Sequence, residues 1–168
     1  MTDNRLGVVL VLAIIAQFHV RCGPQAACNK IAPTGSDKAP QITSMVYNGQ
    51  PFSDDPFTLA FTVDFKDADG DLSGGSVEFF LNDNPSTTKQ LLADVFRQSG
   101  VETTSKKGRL GLALRFTDDV PDGTQVRLGV QFVDQKGNRS NCASLDLDFN
   151  VTPLAKMIKV KNASVCET

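Results

Sequence analysis

The chain has 168 residues, 40% of them hydrophobic and 21% charged, and a formal net charge of -2. That composition can bury one real core and excludes an intrinsically disordered chain. Acids and bases are mixed along the sequence, so there is no basic field to hold nucleic acid, and that class of partner is set aside.

The first 28 residues read MTDNRLGVVLVLAIIAQFHVRCGPQAAC. A short polar start with Arg5 precedes an apolar run over 6–16, and a more polar stretch then carries Ala26 and Ala27 to Cys28. The layout predicts an export signal over 1–27, although Asp3 is unusual in such a start. The run falls short of the roughly 20 apolar residues a membrane-spanning helix needs. It also lacks the amphipathic period of a core helix. The stretch resembles the end of a bacterial lipoprotein signal, in which a small residue precedes an acylated cysteine. Cys28 is the preferred lipidation site, with Gln25 where an aliphatic residue is usual. Cys22 lies nearer the apolar run but follows bulky, charged Arg21, and free secretion is the other outcome. A lipid anchor would be the protein's contact with a membrane. With Cys22 lost and Cys28 modified, Cys142 and Cys166 remain, and an oxidising compartment favours joining them as a disulfide.

Residues 28–40, rich in Pro, Gly, Ser and Lys after the cysteine, read as a flexible linker. From Gln41 onward apolar and polar residues alternate with period two, the mark of strands with one buried face. A short strand is expected at QITSMVY. In FTLAFTVDF, Phe57, Leu59, Phe61, Val63 and Phe65 share one side. The alternation recurs in SVEFFLN, RLGLALRF, QVRLGVQFV and SLDLDFNV, and turn signals such as YNGQP, DADGD, PDGT and QKGN separate most of these runs. Phe80 falls on the outward side of its run and reads as a partly covered surface aromatic. Glu78 falls on the same side.

One segment breaks the pattern. In PSTTKQLLADVFRQSG, residues 85–100, Leu91, Leu92, Val95 and Phe96 stand at helical spacing, which predicts a turn or two of helix crossing between sheets. The tail over 153–168 places Lys156, Lys159 and Lys161 around Ile158 and Val160, as in a short edge strand guarded by lysines. The whole reads as an all-β antiparallel sandwich of about seven strands over residues 41–152, with one short helical crossover and a C-terminal tail that the disulfide would tether.

The strings VDFKDADGDLSGGSVEFFLN, LLADVFRQSG, KKGRLGLALRF and VQFVDQKGNRSN resemble the bacterial immunoglobulin-like or fibronectin-type-III-like modules of secreted and lipid-anchored proteins. The resemblance implies an immunoglobulin-like sandwich. Its members serve as spacers, adhesins and binders of protein or carbohydrate, so function does not follow from the fold. The core Trp of variable antibody domains is absent, since the chain has no Trp.

The stretch DADGDLSGGSVE, residues 67–78, spaces its acids as an EF-hand loop does. An EF-hand needs Gly at the sixth position and helices on both sides. Here the sixth residue is Leu72 and strands are expected on both sides, so an EF-hand is ruled out. A different calcium site remains open. In a sandwich of this topology the loop after the second strand and the loop before the last lie at one end. That would bring Asp67, Asp69 and Asp71 near Asp134, Asn138 and Asn141, enough hard oxygen donors for a calcium ion. The alternative is that these residues only make turns. A second acidic group, Asp54 and Asp55 with Asp118, Asp119 and Asp122, is expected at the opposite end, with turn formation as its role.

The one histidine, His19, lies in the expected signal, which removes Ser-His-Asp, Cys-His and histidine-ligated zinc mechanisms from the mature chain. With Tyr47 the one tyrosine and no tryptophan, an aromatic sugar cleft is hard to build. The expectation is therefore a non-enzymatic envelope or secreted module for binding, adhesion or spacing, with a protein or glycan ligand and stabilisation by calcium. A small hydrolase using carboxylates or a metal at the Asp-rich end is the competing expectation.

Overall fold

The computed structural model describes residues 37–50, 57–116, 121, 123–152 and 155–165, with backbone alone at 150–152 and 155–164. The expected export signal, Cys28, most of the linker, Cys166 and the second acidic group lie outside these residues.

The alternating segments form antiparallel strands: β1 Gln41–Gly49, β2 Thr58–Lys66, β3 Ser76–Leu81, β4 Asn84–Leu91, β5 Lys107–Arg115, β6 Thr124–Val133, β7 Ala143–Thr152 and β8 Ala155–Val165. They build two sheets, β1-β2-β5 and β4-β3-β6-β7-β8. A 3-10 turn at Leu72–Gly74 and one helix, α1 at Leu92–Gln98, complete the described elements. This is the all-β antiparallel sandwich that the sequence predicts.

Its core lies between the sheets, because each strand turns its apolar set inward. Leu59, Phe61, Val63 and Phe65 of β2 are buried, as are Val77 and Phe79 of β3 and Leu110, Leu112 and Leu114 of β5. Phe61 and Phe79 meet edge to face across the sheets, with ring centroids 6.5 Å apart. Each side chain of this size contributes about 1.5–3 kcal/mol when fully removed from water. α1 buries Leu92, Val95 and Phe96, and the Phe96 ring lies 5.3 Å from that of Phe65. Leu91 departs from the expected stripe. Its backbone is extended as the residue before the helix, and its side chain is 64% exposed.

Phe80 corrects the sequence reading. It does sit on the outer side of β3, yet it is only 1% exposed. Its neighbours in register are Gly129 of β6 and Pro85 of β4. Gly129 carries no side chain to compete for the space beside the ring. Alternation gives the direction of a side chain and not what covers it.

One strand, β4, exceeds the expected count, and the tail expected as a short edge strand forms β8. β4 pairs with β3 along an exposed edge, and Asn82 and Asp83, both with positive φ, make the two-residue hairpin turn between them. β8 extends the other edge, so the five-stranded sheet continues beyond residue 152 to Val165. The second sheet is fastened to the first by Asn141. Its side-chain carbonyl accepts from the Ile42 N–H at 2.7 Å, and its amide donates to the Ile42 carbonyl at 2.9 Å.

Candidate metal site

The loop after β2 is shaped by its own acids and glycines. The Asp67 N–H donates to the Lys106 carbonyl, which holds the loop beside the start of β5. The Asp67 carboxylate then folds back, its Oδ2 accepting from the Leu72 N–H at 2.9 Å. Leu72 is fully buried beneath and anchors the 3-10 turn. Gly70 reverses the chain with φ of +77°, and a Cβ there would stand 2.8 Å from the Thr104 carbonyl oxygen. Left-handed backbone and close approach together require glycine. Asp67, Asp69 and Asp71 are thereby turned toward one another, with one carboxylate oxygen from each within 4.8 Å of the others.

The loop between β6 and β7 closes over this group, as the topology predicts. Gly74 and Gly75 let it approach, since a Cβ on Gly75 would fall 1.8 Å from the Val133 carbonyl oxygen. Lys136 reaches in from that loop, its Nζ 2.6 Å from Asp69 Oδ2 and 2.8 Å from Asp71 Oδ2.

Asp134 and Asn138, expected as further ligands, are occupied within their own turn. Asp134 Oδ1 accepts from the backbone N–H groups of Lys136 and Asn138, at 2.9 and 2.8 Å, and Oδ2 accepts from the Asn138 side-chain amide at 2.8 Å. Asn141 is spent on Ile42. These side chains make the turn and fasten the sheets, the structural role that Asx residues commonly fill. Lys136 is the participant that sequence reasoning missed. Its signal was a cation two residues after Asp134, in a loop already expected to meet DADGD.

The electrostatics are those of a crowded acidic group. Asp67 is 1% exposed. Burial pushes its carboxyl above the usual range, the Leu72 N–H opposes this, and the charges of Asp69 and Asp71 add to the rise. Asp69 is held below the usual range by its bond to Lys136, against its own desolvation. The same pairing raises the Lys136 ammonium. Lys136 thus donates to Asp69 Oδ2 and forms an ion pair with Asp71 Oδ2, an atom that is otherwise buried and without a hydrogen-bond partner. The Oδ1 atoms of Asp67, Asp69 and Asp71 are buried and have no hydrogen-bond partner.

This donor set fits a hard divalent cation. Calcium takes six to eight oxygens at 2.3–2.6 Å, so oxygens on opposite sides of the ion stand about 4.8 Å apart. The group has no histidine or cysteine to favour a softer metal.

No free cysteine occurs among the described residues. Cys142, 7% exposed, stands just before β7, whose first residue Ala143 pairs with Val165 of β8. Comparison with family models, with curated proteins and with solved structures gave no match.

Proposed function

We propose that the chain is a non-enzymatic sandwich module of the cell envelope or the secreted space, which binds or spaces other molecules and holds a calcium ion at Asp67, Asp69 and Asp71. The observation that carries this reading is the set of three buried Oδ1 atoms without partners. Buried carboxylate oxygens are costly unless a hydrogen bond or a cation compensates them, and the Lys136 ammonium is paired with the Oδ2 atoms of Asp69 and Asp71. Three carboxylates, backbone carbonyls and water together supply a calcium shell of ordinary size.

The strand order supports an immunoglobulin-like module. The first, second and fifth strands form one sheet and the others the second, with crossovers after β2, α1 and β5. Export is supported by the leader-like sequence and by the cysteines. A Cys142–Cys166 disulfide is part of this reading, supported by the register that pairs Ala143 with Val165, the residues adjacent in sequence to the two cysteines. Such a bond would lock the β8 edge and suits an oxidising compartment. Acylation at Cys28 would place the sandwich at a membrane surface on a short tether. A protein or glycan is the class of ligand proposed.

Two measurements test the reading. Terbium, a luminescent stand-in for calcium, should bind the full chain and be displaced by excess calcium, and Asp67→Asn should abolish the signal. Ester, phosphate and glycoside substrates should not turn over in calcium. Metal-dependent hydrolysis lost in Asp69→Ala would contradict the non-enzymatic assignment.

A further inference from the structure

We propose that the Lys136 ammonium is a tethered counter-ion which a divalent cation must displace, so that the site fills only at higher calcium than its carboxylates alone would require. The proposal rests on the metal-site reading above and adds how that site is regulated.

The demands of metal and lysine fall on the same atoms. Three Oδ1 atoms give three ligands, whereas calcium seeks six to eight. The shortest way to add carboxylate ligands is for Asp69 and Asp71 to chelate through both oxygens. Their Oδ2 atoms are the ones that Lys136 holds, at 2.6 and 2.8 Å. An ion seated among the Oδ1 atoms would also face the ammonium across carboxylates only two atoms wide, and two cations at that separation repel. Asp67 makes the group a site beyond a chance gathering of acids. It is 1% exposed, and its Oδ1 is buried without a hydrogen-bond partner while its Oδ2 accepts from the Leu72 N–H.

Lys136 is also built to leave. Its side chain is 58% exposed, so it has a direct path to water. The turn that carries it is held without the ammonium, by the Asp134 N–H to the Asn138 carbonyl, the Gly137 N–H to the Asp134 carbonyl, and the Asp134 carboxylate on the backbone of Lys136 and Asn138. Release of the side chain therefore leaves the hairpin intact. The ammonium acts as a built-in competitor, neutralising the acids at low calcium and lowering the apparent affinity. Exposed ion pairs of this kind are individually weak, so the penalty they impose is modest, roughly tenfold in affinity.

Calorimetric titration of calcium into the full chain and into Lys136→Met tests the proposal. The expected result is binding by both, about tenfold tighter in the variant. Binding by both with equal affinity, or weaker binding by the variant, overturns displacement and leaves the metal site standing. Binding by neither overturns the metal site, and displacement with it. A second measurement needs no variant: in the unaltered chain, the Lys136 ammonium protons should exchange faster with water once calcium is added. An unchanged rate in a calcium-bound chain would contradict the proposal.

Discussion

A methyl group on Gly75 would fall 1.8 Å from the Val133 carbonyl oxygen and 2.8 Å from backbone atoms of Asp134. The backbone of Gly75 is extended, so its φ is one that any residue adopts, and space alone requires the glycine. Relief of the clash means moving the β6–β7 loop away from the loop that holds the aspartates. Gly75→Ala should therefore cost about 1–3 kcal/mol in urea unfolding, the usual range for overpacking. A change within about 0.5 kcal/mol would mean that the two loops are not seated as described.

At the scale of elements, the charged bridges on the outer face of the larger sheet tie neighbouring segments together. Glu78 of β3 lies 2.9 Å from Lys89 of β4 and also pairs with Arg139, which follows the β6–β7 turn. The Arg139 guanidinium holds the Glu78 carboxyl below the usual range. Desolvation opposes it and Lys89 assists. A folded pKa below the unfolded one makes this a contribution present above the unfolded value, about 4.3, and lost as pH falls through the folded value. Glu78→Gln should accordingly show a shallower loss of stability than the parent chain below about pH 4. Parallel acid limbs for the two proteins would show that the bridge carries no linkage.

The elements that could be read from sequence were those that turn one face to the core. β2, β5, β6 and β7 carry alternation, and their inward Leu, Val and Phe residues make the core, although Thr58, Gln131 and Ser144 are buried as well. β4 was not legible: NPSTTKQL is exposed along most of its length, so pairing of its backbone leaves no apolar period. The helix was legible through Leu92, Val95 and Phe96, but its start was not, because Leu91 is apolar without being buried. The candidate site divides in the same way. Local spacing brings Asp67, Asp69 and Asp71 together and could be read directly. The commitment of Asp134 and Asn138 to their own turn, and the arrival of Lys136, depend on how two loops meet across the end of the sandwich, which no local pattern encodes.

For the whole molecule, the sandwich is a frame whose one end presents buried, uncompensated carboxylate oxygens. A frame of two packed sheets with a continuous core does not need a metal to fold, so calcium here should stiffen an end and not create the fold. An ion that binds only the folded state raises its stability by mass action, by about 2.7 kcal/mol at a hundredfold excess over the dissociation constant. The measurement that tests the central claim most directly is thermal unfolding of the full chain in millimolar calcium and in chelator, with Asp67→Asn alongside. A melting temperature several degrees higher in calcium, with the difference lost in Asp67→Asn, is the predicted result. Equal melting temperatures in calcium and chelator would contradict the account and leave DADGD as a turn.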